Sequence, residues 1–420
     1  MLKVGIIGLG TVGSSVVKIL KENENIITAR AGMKIVPAMG VAKNIEKHKN
    51  LDIVLSDDVN DILEDESIDI VVELIGGVDE AYKIVKKALK NGKSVVTANK
   101  ALLAYHRYEL QEKADGMGFG FEASVAGGIP IINALREGLS ANQILSIKGI
   151  LNGTCNYMLT RMINEDISFA EVLKEAQKLG YAEADPIFDI GGFDASHKLL
   201  ILASIAYGIN AKPEDILIEG IENINSDDIF FAKEFGYNIK LLAIAKKINN
   251  KVELRVHPAL VKKEEMIAKI DGVMNGISVI GDFVGETLYY GAGAGGDATA
   301  SAVISDIISI ARGDASPMLG FKKLVQNDLT LLSINEVQSE YYVRMSVIDE
   351  VGVLSKISNI FARFDISIDS FLQKSSKKSL QTTLLFSTHN CKEVQIKKAL
   401  NEVGRLSFVK EKPAMIRIQE

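Results

Sequence analysis

The chain has 420 residues, of which 47% are hydrophobic and 24% are charged, a balance typical of a globular protein with two or three domains and incompatible with a disordered one. The net charge of -6 argues against a surface dedicated to nucleic acid, and no apolar run approaches the roughly 18 residues that a membrane span needs. Two cysteines, Cys155 and Cys391, provide neither a disulfide framework nor a metal cluster, and the N-terminus lacks a signal-peptide pattern, so the prediction is a cytoplasmic protein.

A glycine-rich turn follows the first predicted strand. Residues 3–7 form a short apolar run, the sequence GLGTVG supplies Gly8, Gly10 and Gly13, and the next segment has helical spacing. In this setting the first glycine permits a tight turn, the second lets a pyrophosphate approach the backbone, and the third lets the helix pack on the strand. The pattern predicts a dinucleotide-binding domain, with a glycine turn that has no ligand as the alternative.

The second strand, predicted over residues 34–42, lacks the acidic residue that would bind the ribose 2′-hydroxyl of NAD. Lys43, Lys47, His48 and Lys49 follow it instead, so a 2′-phosphate would meet favourable charge. The sequence therefore favours NADP. The alternative is that these lysines are ordinary solvated surface residues.

Two further apolar segments predict parallel strands whose ends would face a ligand. Residues 68–75 lead into a glycine pair that begins at Gly76, and a helix is predicted over residues 81–91. Residues 94–97 then lead directly to Lys100. Because ligands bind beyond the carboxyl ends of the strands in an open parallel sheet, Lys100 would reach the cofactor or the substrate. A surface lysine at a helix start is the competing interpretation.

Two residues in predicted loops have competing interpretations. Glu122 begins a segment of small residues and two glycines, so it could be a buried hydrogen-bonding group or could join loop carbonyls around a hard cation. Cys155 lies in a polar turn that follows a strand predicted to begin with residues 147–151 and precedes a helix predicted over residues 157–163. A small buried thiol is favoured over a nucleophile because no Cys/His/Asn set can be assembled.

The stretch over residues 180–199, GYAEADPIFDIGGFDASHKL, concentrates acids around one lysine. A helix that begins near its glycine pair would place Asp194 and Lys198 four residues apart on one face, where they can meet. Glu183 and Asp189 precede that helix in irregular backbone, and such loops carry polar groups to ligands. The stretch is predicted to be a functional site, with an exposed ion pair beside a helix cap as the alternative.

The segment over residues 215–290 predicts mixed strands and helices, in which His257 precedes a proline and is expected to end a strand without a functional role. The glycine-rich run over residues 291–296 then opens a long apolar helix, for which Gly313 is the stop signal. This helix start could face the cofactor, and close packing of backbone explains it equally well.

After residue 317 a polar connection is predicted over residues 322–338. From residue 341 onward, a strand, a helix, strands near residues 366–373 and 381–388, a second helix and a last strand follow in the order βαββαβ. That order predicts a small α+β module, separate from the catalytic body.

Together these features resemble homoserine dehydrogenases of the long bacterial type, and the likeness covers essentially the whole chain. It depends on GLGTVG near the N-terminus and on the motifs TANKALLA from residue 97, EASVAGGIPII from 122, GILNGTCNYM from 149, GYAEADPIFDIGGFDASHKL from 180 and GAGAGGDATASAVISDI from 291. The C-terminal module is similar to an ACT domain, with Asp349, Gly352 and Leu354 in its first turn.

The fold class that the resemblance implies is an α/β protein with three parts. The first is an N-terminal Rossmann dinucleotide-binding domain over residues 1–133. The second is an α+β catalytic and dimerisation domain over residues 134–318, whose helix 297–313 returns to the first domain. A linker over residues 319–340 leads to the ACT-like regulatory domain over residues 341–420.

The resemblance implies reversible hydride transfer between NAD(P)H and L-aspartate 4-semialdehyde, which yields L-homoserine in the biosynthesis of threonine, methionine and isoleucine. The residue that matches Lys198 acts as general acid and base, with the match of Asp194 beside it at the substrate hydroxyl. The matches of Glu183, Asp189 and Thr154 bind the amino end of the substrate, and Lys100 matches a lysine near the nicotinamide and the substrate.

The implied cofactor-binding residues are Gly8, Gly10, Thr11, Val12, Gly13, Lys43, Gly76 and Lys100. The resemblance also implies a structural monovalent-cation site, usually for sodium, formed by Glu122 and the carbonyls of Val125, Gly127 and Ile129. Two departures from the family pattern are modest. Lys43 stands where NADP-preferring members often have arginine, and Asp297 replaces the proline that commonly opens the last helix.

The expected partners are the small-molecule substrate and other copies of the chain, in a homodimer or a higher homo-oligomer. An inhibitory amino acid, for which threonine is the leading candidate, would bind between two ACT modules; the alternative is that the module only aids dimerisation. Other functions compatible with the residues are a different Rossmann amino-acid or semialdehyde oxidoreductase and a ligand sensor without catalysis. The Asp194 and Lys198 pair disfavours both.

Overall fold

The computed structural model describes residues 1–314, 316–323, 329–375 and 381–419. Its internal contacts divide the chain into two compact units. The first unit comprises Met1–Gly153, Asp194–Ile216 and Val273–Leu329, and the second comprises Thr154–Phe193, Leu217–Gly272 and Thr330–Glu420. No helix in the described ranges combines the length and the apolar character that crossing a membrane would need.

The N-terminal part of the first unit alternates strands and helices. The strands are β1 (Leu2–Ile7), β2 (Ile35–Val41), β3 (Val54–Ser56), β4 (Ile70–Glu73), β5 (Ser94–Thr97) and β6 (Phe119–Gly120). The helices are α1 (Thr11–Glu22), α2 (Glu24–Ala31), α3 (Asn60–Leu63), α4 (Asp79–Lys90) and α5 (Lys100–Lys113). The six strands are parallel and lie in the order β3-β2-β1-β4-β5-β6. This is the strand order of dinucleotide-binding Rossmann sheets, so the predicted fold of this part is confirmed.

Thirteen further α-helices and strands follow between residues 131 and 312. They are α6 (Ile131–Asn133), β7 (Ile144–Ile150), α7 (Gly153–Glu165), α8 (Phe169–Lys178), α9 (Ile187–Ile190), α10 (Phe193–Tyr207), β8 (Leu217–Ile218), α11 (Ser226–Glu234), β9 (Tyr237–Ile248), β10 (Lys251–Lys262), β11 (Met274–Gly281), β12 (Gly285–Ala292) and α12 (Gly296–Arg312). In the first unit, β11 pairs antiparallel with both β7 and β12. In the second unit, β9 and β10 form a long antiparallel hairpin.

Helix α12 belongs to the same hydrophobic core as the Rossmann sheet. Its Ala300, Val303 and Ile307 are buried in one cluster with Val4 and Ile6 of β1. The spacing of three and four residues between these side chains places them on one face of the helix. The helix ends where the sequence predicted, at Gly313, which adopts a left-handed conformation with φ 74°.

The prediction that a strand ends at His257 is wrong, because β10 continues through Pro258 to Lys262. Proline lacks the N–H that a central strand normally donates. Pro258 has the same orientation as Val256, whose carbonyl accepts the Glu219 N–H at 2.8 Å on the β8 side of the strand. On that side β8 pairs with β10 only up to Val256 and the next neighbour begins at Ala259. The proline therefore lies where no partner strand needs its N–H.

The C-terminal part of the second unit contains the remaining elements. They are β13 (Thr330–Leu331), β14 (Gln338–Ile348), α13 (Val353–Arg363), β15 (Ile368–Ser375), β16 (Gln381–Thr388), β17 (Cys391–Lys392), α14 (Glu393–Val403) and β18 (Ala414–Gln419). Apart from the short β13 and β17, their order is βαββαβ, and the sheet order is β18-β14-β16-β15. Both helices pack their apolar faces on this sheet, as the predicted ACT-like fold requires.

This module is not separate from the preceding chain, in contrast to the prediction. Its last strand, β18, pairs in parallel with β10 over Ala259–Val261, so one sheet joins the two segments. Residues 324–328 of the predicted connection over 322–338 lie outside the described residues. The described end of that connection contains β13, which also pairs with β10. Pairing between strands more than 150 residues apart in sequence has no local signal, which explains why it was missed.

Candidate active site

Two lysine side chains of the first unit meet around the carboxylate of Asp194. The Lys198 ammonium donates a hydrogen bond to Asp194 Oδ2 at 2.7 Å and another to the Leu151 carbonyl at 2.7 Å. The Lys100 ammonium lies 2.9 Å from the other oxygen, Asp194 Oδ1. Asn152 Nδ2 also donates to Asp194 Oδ2, at 3.0 Å. The carboxylate is therefore bound on both oxygens, and two amines are held at fixed positions.

Burial distinguishes this group from an ordinary helix-surface ion pair. The side chains of Asp194 and Lys198 are 5% and 11% exposed, whereas that of Lys100 is 35% exposed. Burial alone would raise the pKa of Asp194, but the charges of Lys198 and then Lys100 outweigh it and hold this pKa well below its usual range. Asp194 is therefore an anion at neutral pH, and the alternative of an exposed pair does not apply.

Helix α10 buries the pair because the helix itself is buried on every side. All its residues from Asp194 to Ile205 are buried, as expected for a helix in a protein interior rather than at its surface. Positions i and i+4 place Asp194 and Lys198 on one face, as the sequence predicted. The hydrogen bonds of the Lys198 ammonium to Asp194 Oδ2 and to the Leu151 carbonyl define its position.

Lys100 is positioned by a hydrogen-bond network at the carboxyl end of the parallel sheet. Asn99 caps helix α5 by accepting the Leu102 N–H at 3.0 Å, and its side-chain amide donates to the Gly77 carbonyl at 2.7 Å. The Thr97 hydroxyl donates to the fully buried Glu73 at 2.6 Å. Sequence reasoning missed Glu73, although a single acid at the end of an apolar strand was a signal.

The glycine turn between β1 and α1 has the shape that a bound pyrophosphate needs. Gly8 has a φ of 102°, and an added Cβ there would lie 2.8 Å from the Leu74 carbonyl carbon. A Cβ on Gly13 would overlap the Gly8 carbonyl oxygen, whereas a Cβ on Gly10 would meet nothing within 4 Å. The first and third glycines thus serve the turn and the packing, and the second leaves open space at the start of α1. Thr11 and Val12 begin that helix.

The other predicted cofactor residues lie around the same sheet edge. Gly76 follows β4 with a φ of 72°. Lys43, Lys47 and Lys49 are exposed after β2, and β2 itself contains no acidic residue. The segment that follows β2 also contains Glu46, which forms an exposed ion pair with Lys49 at 2.7 Å. The lack of an acid therefore applies to β2, where an NAD-binding strand would end in one. Asp297, in the first turn of α12, forms an exposed ion pair with Lys18 of α1 at 3.5 Å.

The loop around Glu122 is suited to a monovalent cation. Glu122 is 2% exposed, its carboxylate accepts the N–H groups of Ile132 and Asn133 at 2.8 and 2.7 Å, and burial raises its pKa to about 7. Ala126 and Gly127 are both left-handed, with φ of 55° and 52°. Such consecutive turns redirect backbone carbonyls. No cluster of three or more acidic, histidine or cysteine ligands occurs in the described ranges, so a cation here would depend mainly on carbonyl oxygens.

A second buried acid, which sequence reasoning missed, lies beside this loop. Asp306 of α12 is 3% exposed, and its Oδ2 accepts the Glu122 N–H at 2.8 Å. Burial first and the charge of Glu122 second raise the pKa of Asp306 to about 7. A cation near Val125, Gly127 and Ile129 would offset the cost of ionising both acids. The Ile129 carbonyl also accepts the Ile131 N–H at 2.8 Å, which leaves its second lone pair for an ion.

The other predicted substrate residues belong to the second unit. The Thr154 hydroxyl donates to the Tyr181 carbonyl at 2.6 Å, and Glu183 is exposed in the segment before α9. Asp189 lies in α9 and is partly buried. Its carbonyl accepts a hydrogen bond from the Cys155 thiol, with a sulfur–oxygen distance of 3.3 Å. Cys155 is fully buried, in agreement with the prediction of a small buried thiol.

Comparison with known proteins assigns the chain to a family. A family model described as "Homoserine dehydrogenase" matches residues 130–308, and "Homoserine dehydrogenase, NAD binding domain" matches residues 8–122. The homoserine dehydrogenase of Helicobacter pylori is 58% identical over 418 residues, which cover 100% of this chain and 99% of the relative. The chain belongs to the homoserine dehydrogenase family. It is thus an NAD(P)-dependent oxidoreductase that acts on a CH–OH group, and the prediction of an enzyme of this class is confirmed.

Further homoserine dehydrogenases agree over the whole length. The one from Neisseria gonorrhoeae is 42% identical over 428 residues, which cover 100% of this chain and 98% of the relative. The crystal structure of a homoserine dehydrogenase from Thiobacillus denitrificans matches with a TM-score of 0.95 and 43% identity, covering 100% of this chain and 98% of that chain. An ACT domain model matches residues 341–408. The C-terminal ACT module and the nicotinamide-binding domain are therefore confirmed.

Proposed function

We propose that the chain interconverts L-aspartate 4-semialdehyde and L-homoserine with Lys198 as the general acid and base. The observation that carries this proposal is the buried ammonium of Lys198, held 2.7 Å from an ionised Asp194. A fixed cation beside a carboxylate, in a site from which water is largely excluded, is suited to protonating a carbonyl oxygen. The activity belongs to the biosynthesis of threonine, methionine and isoleucine.

The proposed mechanism assigns one task to each residue of the site. The bound nicotinamide supplies or accepts the hydride. During reduction, Lys198 donates its proton to the aldehyde oxygen as negative charge develops there, and it takes the proton back during homoserine oxidation. Asp194 stabilises the ammonium form and orients it, and Lys100, bound to the same carboxylate, adds a second positive charge near the reacting groups.

The proposed substrate-binding residues of the second unit are Glu183, Asp189 and Thr154. The amino end of the substrate is a cation, so carboxylates and a hydroxyl are appropriate partners for it. These assignments depend on the family resemblance and on the chemistry of the side chains.

We propose NADP as the preferred cofactor because Lys43 and its basic neighbours are exposed after a second strand that has no acidic residue. The proposed cofactor residues are Gly8, Gly10, Thr11, Val12, Gly13, Lys43, Gly76 and Lys100. The proposed monovalent-cation site, for sodium, comprises Glu122 and the carbonyls of Val125, Gly127 and Ile129. Its role would be structural, since a buried carboxylate with a raised pKa gains most from a fixed counter-ion.

We propose four segments for the chain, namely a cofactor domain over residues 1–133, a catalytic and dimerisation domain over 134–318, a connection over 319–340 and the ACT module over 341–420. The ACT module would bind an inhibitory amino acid, threonine first among the candidates, between modules of a homodimer or higher homo-oligomer. Inhibition of activity by threonine, compared with lysine and methionine as controls, tests the effector. Activity that none of the three amino acids changes would indicate that the module only aids assembly.

The central assignment is tested with Lys198→Ala. The variant is expected to lose turnover by about 10³-fold, within the range that general acid–base catalysis contributes, while NADPH still binds. Turnover is measured from the absorbance of the reduced nicotinamide with homoserine, and NADPH binding from nicotinamide fluorescence. Comparable turnover in the variant would remove Lys198 from the mechanism. If the wild-type protein were inactive with both nicotinamide cofactors, that result would favour the alternative of a ligand sensor without catalysis.

A further inference from the structure

We propose that Arg417 and Glu219 are positioning residues for the segment that carries Asp189. Arg417 lies in β18, at the C-terminal end of the ACT module, and Glu219 follows β8. Neither residue is expected to touch substrate or cofactor. The inference rests on the proposed role of Asp189 in substrate binding and extends it to a residue of the regulatory module.

The first link is a pair of hydrogen bonds between the two residues. The Arg417 guanidinium donates to both oxygens of Glu219, at 2.6 and 3.1 Å. Arg417 is 1% exposed, and the side chain of Glu219 is 36% exposed. The planar guanidinium matches a carboxylate on two atoms at once, which fixes orientation as well as distance.

The second link fixes Arg417 itself. Its Nε donates to Glu393 Oε2 at 3.0 Å, and a further nitrogen donates to Oε1 of the same carboxylate. Glu393 is fully buried in α14 and also accepts the Tyr341 hydroxyl at 2.8 Å. Arg417 is thus held by the ACT module on one side and presents its other edge to Glu219. A guanidinium bound in this way has little freedom to follow Glu219 if that segment moves.

The third link leads from Glu219 to the segment before α10. The next residue, Gly220, lies so close to α9 that an added Cβ would overlap the Ile190 carbonyl oxygen and lie 2.7 Å from Gly191 Cα. The Ile221 N–H donates to the same Ile190 carbonyl at 2.9 Å. Residues 219–221 therefore pack directly on the end of α9, and Ile190 is the residue after Asp189.

The same segment is anchored on its other side by the long hairpin. The Glu219 N–H donates to the Val256 carbonyl of β10 at 2.8 Å. A Cβ on Gly192 would lie 3.2 Å from both the Ile218 and the Val256 side chains, so the chain directly after Asp189 has little room to shift. The Arg417–Glu219 pair is the part of this arrangement that depends on charge. Loss of the pair is expected to loosen the Asp189 segment without removing any proposed substrate contact.

The test compares Glu219→Gln, Arg417→Gln and the double variant in the full-length chain. Glu219→Gln keeps the Arg417–Glu393 pair and replaces a partly exposed side chain, so it should fold. It is expected to raise the KM for homoserine about tenfold, the size of effect that a small displacement of a binding group produces, and to change kcat and the KM for NADP less than about twofold. The double variant should be no worse than Arg417→Gln alone, because both single changes break one link.

Two matched variants make the outcome specific. Arg363→Gln breaks an exposed ion pair with Glu402 in the same module and should leave all three kinetic parameters unchanged. Asp189→Asn tests the proposed substrate role directly and should raise the KM for homoserine by itself. If Asp189→Asn raises this KM and folded Glu219→Gln does not, the positioning role is refuted and the proposed function stands. If Asp189→Asn has no effect, the substrate role of Asp189 and the inference that rests on it are both overturned.

Discussion

Replacing Asp194 with asparagine removes the one negative charge that two lysines share, while the size of the side chain is kept. The carboxylate lies 2.7 Å from the Lys198 ammonium and 2.9 Å from that of Lys100. Removing one partner of a buried ion pair typically costs about 3–5 kcal/mol of stability. Asparagine keeps one acceptor oxygen, so we expect a loss near 3 kcal/mol in the free energy of unfolding and a fall in kcat of about 10²-fold.

The pH dependence of this loss follows from the lowered pKa of Asp194. A carboxyl whose pKa is lower in the folded than in the unfolded state contributes stability that is complete above the unfolded value of about 3.9 and is lost as pH falls through the folded value. The difference between wild type and Asp194→Asn should therefore be constant from about pH 6 to pH 8. Urea unfolding at several pH values measures it, and homoserine oxidation measures kcat.

A matched control is Asp52→Asn, which breaks an exposed pair with Lys21 at 3.2 Å. Because exposed ion pairs contribute little, no measurable change in stability or kcat is expected for this variant. The account of the site would be refuted by an Asp194→Asn protein with a stability loss below about 1 kcal/mol and a kcat within about threefold of wild type.

Three further predictions concern the cation loop and the cofactor site. Burial first and the charge of Glu122 second raise the pKa of Asp306 to about 7, so between about pH 4 and that value the folded protein holds a proton that the unfolded chain has released. The free energy of unfolding, measured with urea in sodium-free buffer, should therefore fall by up to about 1.4 kcal/mol per pH unit as pH rises from about 4.5 to about 7, and level off above pH 7. Asp306→Asn should reduce this slope, whereas parallel curves would contradict the assignment. Lys43→Ala should raise the KM for NADP about tenfold and leave that for NAD unchanged; equal effects on both would show that Lys43 does not bind the 2′-phosphate. Gly13→Ala should lower the melting temperature, because its Cβ would overlap the Gly8 carbonyl oxygen. Gly10→Ala, whose Cβ would meet nothing within 4 Å, should fold normally and lose affinity for NADPH in a fluorescence titration. The reverse pattern would contradict the roles given to these glycines.

The parts of the site that sequence predicted are those with a local signature. The turn GLGTVG and the spacing of Asp194 and Lys198 each occupy a few adjacent residues, so the required geometry follows from backbone preferences alone. The burial of the pair did not follow from its spacing. It depends on α10 being buried on every side, and a lone Asp/Lys pair on a helix is exposed in most proteins.

The contacts that sequence did not predict join residues far apart in the chain. Lys100 and Asp194 are ninety-four positions apart, and the hydrogen bond between Glu122 and Asp306 spans 184 positions. The pairing of β18 with β10 is of the same kind. Each depends on how strands and helices are brought together in the fold, for which one sequence carries no periodic signal. The prediction that a strand ends at His257 was wrong for a related reason, because the effect of Pro258 depends on whether its nitrogen faces a partner strand.

The central claim is that the Lys198 ammonium transfers the proton at the reacting oxygen. The most direct measurement is a crystal structure of the ternary complex with the oxidised cofactor and L-homoserine. The account predicts Lys198 Nζ within about 3.2 Å of the homoserine hydroxyl oxygen, with Asp194 still bound to the same amine. A hydroxyl held by a different acid or base, with Lys198 Nζ beyond hydrogen-bonding distance, would contradict it.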